Sequence, residues 1–123
     1  MKNVLIVEDS RAIRSLIRIA LEEAGDIRTA EAANGFEALK LLPSRRFDLI
    51  ITDINMPDIN GLELIGFVKA NPSYQSIPLI IVSTEKSDED KKRGMALGAM
   101  GYVVKPFRKE DLMSVVKKAL EGK

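Results

Sequence analysis

The chain has 123 residues, 46% of them hydrophobic and 30% charged, with a net charge of +1. That describes one soluble domain over residues 1–123, able to bury about two-thirds of its unfolded surface, with no bulk charge drawing it to nucleic acid or a membrane. Cysteine and histidine are both absent, which excludes disulfides, thiolate chemistry and Ser/His or Cys/His triads, and leaves oxygen-held hard ions such as magnesium as the expected metal chemistry.

Only the four apolar residues Val4 to Val7 separate Met1-Lys2-Asn3 from Glu8. They are too few for a signal-peptide core or a membrane span, so a cytoplasmic protein is expected. The run itself reads as a strand covered on both faces, stopping at Glu8-Asp9. Ser10 is placed to cap a helix with apolar positions Ile13, Leu16, Ile17, Ala20, Leu21 and Ala24, and Gly25 sits where a left-handed C-terminal cap belongs. Ile27 to Ala32 forms a second strand, but Arg28, Thr29 and Glu31 interrupt it, which assigns it to a sheet edge. Asn34-Gly35 turns into a short helix expected to send Phe36, Leu39 and Leu42 inward and to end at Pro43.

Leu49-Ile50-Ile51-Thr52 is a buried strand that delivers Asp53 to its end, where Pro57 and Asp58-Ile59-Asn60-Gly61 prevent it from continuing. A third helix carries Leu62, Leu64, Ile65 and Val68 and stops at Asn71-Pro72. Leu79 to Val82 is the third wholly apolar run, ending in Ser83-Thr84. Ser87 and Asp90 fit a capping box for a fourth helix, whose acids precede its Lys91, Lys92 and Arg93 as the helix dipole prefers, with Gly98 at its end. Tyr102-Val103-Val104 makes a last strand ending in Lys105-Pro106, and a fifth helix aligns Leu112, Val115, Val116 and Ala119.

Five strands alternating with five helices, the central strands apolar and uninterrupted, imply an α/β fold, a parallel sheet covered on both faces. In such sheets ligands bind beyond the carboxyl ends of the strands. Glu8 and Asp9, Asp53, Ser83 and Lys105 all stand at such ends. Taken singly, each reads equally as a cap, a turn or a solvated loop residue. Gathered at one rim, three carboxylates repel one another beyond what one lysine can offset, and a divalent cation answers that. Magnesium takes one or two protein carboxylates and keeps waters, which suits Asp9 and Asp53 as direct ligands and Glu8 through a water. Asp53 is also a candidate acceptor for an acyl phosphate, since phosphoryl transfer needs positioning and charge neutralisation more than acid–base groups.

These residues resemble the receiver domains of two-component response regulators, and most nearly the single-domain chemotaxis regulators among them. The resemblance covers essentially the whole chain. Its motifs are Val4-Leu5-Ile6-Val7-Glu8-Asp9-Ser10, Asp53-Ile54-Asn55-Met56-Pro57 with Gly61, Val82-Ser83-Thr84-Glu85, and Gly101-Tyr102-Val103-Val104-Lys105-Pro106-Phe107. It implies a flavodoxin-like doubly wound sheet with strand order 2-1-3-4-5, and a signalling switch rather than an enzyme. Asp53 would take a phosphoryl group from the phosphohistidine of a histidine kinase or phosphotransfer protein. Magnesium, with manganese as the alternative, would sit on Asp9, Asp53 and the backbone carbonyl of Asn55, with Glu8 in the outer shell. Lys105 would pair with the phosphoryl oxygens and Ser83 would hydrogen-bond one of them. The Ser83 bond would let Tyr102 turn inward and alter the face made by the fourth helix, fifth strand and fifth helix for a downstream target protein. The resemblance further implies a monomer, and a Lys105–Pro106 peptide that is commonly cis.

Ser83 stands where Thr is commoner, and Thr84 is larger than the usual Ala or Gly, which narrows access to the phosphoryl site. Asn55 and Glu85 flank that site and suggest turnover by an ordered water. Two other classes fit less well. An Asp-nucleophile phosphatase of the haloacid dehalogenase kind carries a second Asp where this chain has Asn55. A flavin- or dinucleotide-binding domain needs a glycine- or hydroxyl-rich loop after the first strand, where Glu8-Asp9 would repel a phosphate. The chain ends about one helix after Lys105, so its output is expected through protein contact, either alone or as the receiver of a larger hybrid kinase or regulator.

Overall fold

The computed structural model describes residues 1–56, 58–84 and 88–121, with Asp88 described by its backbone alone. Pro57, Glu85 and the Ser87 half of the expected capping box lie outside the described residues. The strands are β1 (Lys2–Val7), β2 (Ile27–Ala32), β3 (Leu49–Thr52), β4 (Leu79–Ser83) and β5 (Gly101–Val104). Between and after them run α1 (Arg11–Glu22), α2 (Gly35–Leu41), α3 (Gly61–Ala70), α4 (Asp88–Leu97) and α5 (Lys109–Glu121). Pro43 lies in a 3-10 turn, Leu42–Ser44, that finishes α2.

All strands pair in parallel, in the order β2-β1-β3-β4-β5. The expected α/β doubly wound sheet and its order are thus observed, with β2 at an edge and its Arg28 and Glu31 exposed. Alternation of side chains along each strand divides the core in two. Leu5, Val7, Ile50, Leu79 and Ile81 face one layer, which α3 fills with Leu62, Leu64, Ile65 and Val68. Val4, Ile6, Leu49, Ile51, Ile80 and Val82 face the other, against Ile17, Ala20 and Leu21 of α1 and Leu112, Val116 and Ala119 of α5. Each such Leu, Ile or Val contributes about 1.5–3 kcal/mol by leaving water, so the central strands are the most firmly fixed part of the molecule.

Three apolar residues expected within helix faces are exposed instead: Phe36 at 52%, Leu16 at 56%, and Ala24. Successive helical residues are about 100° apart, and the inward stripes are Ile17, Ala20 and Leu21 in α1 and Gly35 and Ala38 in α2. Leu16 and Phe36 neighbour those stripes in sequence and therefore point away. Ala24 lies beyond the end of its helix. Helix α4 has Gly94 as its buried residue. A Cβ there would lie 2.3 Å from Ile81 Cδ1, so the α4 backbone packs directly against the Ile81 side chain.

Candidate functional site

The ends of β1, β3, β4 and β5 each bring part of the site to the same rim. Main-chain bonds fix the ends beside one another: Glu8 N–H donates to Ala32 O at 3.0 Å, Asp53 N–H to Val7 O at 3.0 Å and Lys105 N–H to Ser83 O at 2.9 Å. The apolar runs set this register, because one residue of slip would turn every core side chain to the wrong face. The β3–β4 pairing, Thr52 opposite Ile81, brings Asp53 and Ser83 to the same end of adjacent strands.

Glu8, Asp53, Ser83 and Lys105 are all buried. Lys105 Nζ lies between two carboxylates, donating to Glu8 Oε1 at 2.5 Å and to Asp53 Oδ2 at 3.2 Å. Asp53 Oδ1 accepts from Ile54 N–H at 2.7 Å, and Glu8 Oε2 accepts from Ser10 N–H at 2.9 Å. The exposed Asp9 completes the group, with carboxylate oxygens of Glu8, Asp9 and Asp53 all within 4.8 Å of one another. Glu8, Asp9, Asp53 and Lys105 therefore converge. Asn55 is exposed in the β3–α3 loop, Thr84 is exposed after β4, and Tyr102 is half-buried, with Lys91 Nζ 6.0 Å from its ring centre.

Burial raises the Glu8 carboxyl above its ordinary range, and the Asp53 charge adds to this, against the lowering pull of Lys105 and the Ser10 N–H. Burial alone would lower Lys105, but the hydrogen bond to Glu8 and the two carboxylate charges outweigh it and hold the ammonium above its ordinary range. Three carboxylates gather around one ammonium, which leaves two negative charges unbalanced when all three are ionised. A dication is the ligand of matching charge, and an all-oxygen donor set on a partly open rim fits magnesium or manganese.

Glycines shape the floor of the site. A Cβ on Gly61 would lie 2.1 Å from the Asp53 carbonyl oxygen, so only glycine lets α3 begin there, its N–H donating to Ile54 O at 2.9 Å. A Cβ on Gly35 would lie 2.6 Å from Ile59 Cβ, so α2 sits against the β3–α3 loop. That loop carries Asp58 at a φ of 65° and ends in the Asn60–Glu63 capping box. The box was visible in the sequence as Asn60 followed three residues later by Glu63. The Gly35–Ile59 contact had no sequence signal. The Lys105–Pro106 peptide is cis, as the resemblance implied.

Residues 4–117 match the model of the response regulator receiver domain family. The chain is 36% identical to the chemotaxis protein CheY of Pseudomonas aeruginosa over 118 residues, 96% of this chain and 95% of that one. It is 37% identical over 119 residues to a CheY homolog of Campylobacter jejuni, covering 96% and 88%. Among solved structures it is similar to Vibrio cholerae chemotaxis protein CheY4, with TM-score 0.91, 40% identity and 98% and 99% of the two chains covered. It is also similar to the receiver domain of a Syntrophus aciditrophicus signal transduction histidine kinase, at TM-score 0.90 and 35% identity over 99% and 92% of the chains.

Proposed function

Since the chain belongs to the response regulator receiver family and is of the CheY type, we propose that Asp53 is its phosphoacceptor and that residues 1–123 act as one phosphorylation-controlled switch. Membership places it among signalling proteins of two-component systems rather than classical enzymes. The observation that carries the phosphoacceptor reading is the buried Asp53 carboxylate, held by Lys105 at 3.2 Å and by the Ile54 N–H at 2.7 Å, beside Glu8 and Asp9.

An Asp53 oxygen attacks the phosphorus of a phosphohistidine on a kinase or phosphotransfer partner. The new O–P bond forms as the N–P bond breaks, and the imidazole departs with that electron pair. Lys105 then exchanges part of its pairing with Asp53 for the phosphoryl oxygens, and Ser83 donates its hydroxyl to one of them. Asp9, Asp53 and the Asn55 carbonyl, with Glu8 through a water, are the residues to hold magnesium or manganese, which supplies charge neutralisation at the phosphoryl group. Drawing Ser83 toward the phosphoryl group opens room for Tyr102 and biases the α4–β5–α5 face toward a target protein. Asn55 and Glu85 tune return to the resting state by orienting water.

Incubation with acetyl phosphate and magnesium tests this. One phosphoryl group per chain, base-labile, mapped to Asp53 and lost in Asp53→Asn, is the expected result. Labelling at another residue, or many turnovers on small phosphate esters, overturns it. The same chemistry serves a chain acting alone or one set within a larger signalling protein.

A further inference from the structure

We infer that Arg14 is a positioning residue for the dication site, acting through the peptide that joins Glu8 to Asp9; this rests on the phosphoacceptor reading above. Among the described residues the Asp9 carboxylate has no hydrogen bond or ion pair, so within that set its placement depends on the backbone that carries it. That backbone is a three-residue connection, Glu8-Asp9-Ser10, between β1 and α1. Its two ends are tied by Glu8 N–H to Ala32 O and by Arg14 N–H to Ser10 O at 2.9 Å. The peptide plane leading into Asp9 is tied by one side chain: Arg14 Nη1 donates to the Glu8 carbonyl oxygen at 2.8 Å.

The guanidinium is itself held. Its Nε donates to Glu31 Oε1 at 3.0 Å, and Arg18 Nε lies 3.4 Å from Glu31 Oε2, so one carboxylate on β2 grips two arginines of α1. Arg14 is 16% exposed at its side chain, and a planar fork of donors is what lets it span two acceptors at once. Glu31 also cancels a positive charge that would otherwise stand close to a bound cation. Orienting partners of metal ligands are worth about 10- to 100-fold in affinity, which sets the scale expected here.

Two explanations differ in sign. If Arg14 acted only as a nearby positive charge, removing it would tighten cation binding. If it fixes the peptide, removing it loosens Asp9 and weakens binding. Manganese titration followed by electron paramagnetic resonance reads the dissociation constant directly, without phosphorylation, on protein shown to be folded by circular dichroism. Arg14→Met, which keeps the aliphatic stem, should bind manganese about tenfold more weakly than the unaltered chain. Arg14→Lys, with one ammonium in place of the fork, should fall between. A loss of stability alone would lower the melting temperature of metal-free protein while leaving the affinity of the folded form unchanged. Unchanged or tighter binding in Arg14→Met overturns the inference. Should that variant not fold, the same outcomes in Arg14→Lys decide it. Asp9→Asn is the control that separates the two readings: if it binds as the unaltered chain does, the dication reading of the site fails, whatever Arg14 does.

Discussion

Replacing Lys105 by Met removes the ammonium from between Glu8 and Asp53 and leaves an uncharged stem of similar length. Breaking a buried ion pair costs about 3–5 kcal/mol when the remaining charge is stranded. Here a proton limits the loss, because Glu8 can be neutralised instead. From its ordinary pKa of 4.5, protonating Glu8 at pH 7 costs about 3.4 kcal/mol, at about 1.36 kcal/mol per pH unit. At pH 5 the same step costs about 0.7 kcal/mol. Burial in the folded chain raises Glu8 above its unfolded value, so the folded state gains stability as pH falls through that window, and the variant gains more than the parent. Lys105→Met should therefore be about 3 kcal/mol less stable at pH 7, roughly 10 °C in Tm, and within about 1 kcal/mol of the parent at pH 5. Urea denaturation across this range in chelator measures the difference, and saturating magnesium should shrink it by supplying the missing positive charge. A variant as stable as the parent at pH 7 without metal, or a gap that widens toward pH 5, would refute the reasoning.

The same pair predicts behaviour in alkali. Lys105 is held above its ordinary value, so its contribution is full below about pH 10.4 and is lost as pH rises through the folded value; that extra fall should be seen in the parent and be missing from Lys105→Met. Asp53→Asn relieves repulsion with Glu8 and Asp9, and metal-free it should melt at least as high as the parent while taking up no phosphoryl group. Gly61→Ala drives a methyl group to 2.1 Å from the Asp53 carbonyl oxygen; a loss of about 2–4 kcal/mol is expected from overpacking plus the strained Gly61–Ile54 bond, read by denaturant melts. Thr84→Ala should speed dephosphorylation by an external phosphatase, and an unchanged rate removes Thr84 as an access barrier.

The strands and their ends were legible because burial on both faces demands unbroken apolar runs, and Val4–Val7, Leu49–Ile51 and Leu79–Val82 carry little else. Where those runs and Tyr102–Val104 stop, Glu8, Asp53, Ser83 and Lys105 follow within two residues, so the residues of the site could be named before their distances were known. Helix faces were less legible. Leu16 and Phe36 are as apolar as their buried neighbours, and only packing against the sheet decides which part of a wide apolar stripe turns inward.

Sequence by itself therefore determined the alternation of elements, the edge position of β2 and the chemical inventory of the rim. Tertiary structure alone decided how the charges are shared: Lys105 lies between Glu8 and Asp53, and among the described residues Asp9 stands unpaired at the rim. Arg14 reaches back across a turn to the Glu8 carbonyl while Glu31 arrives from another strand. No local pattern encodes the Lys105 and Glu31 contacts, because their partners are brought together by strand register and helix packing rather than by spacing along the chain.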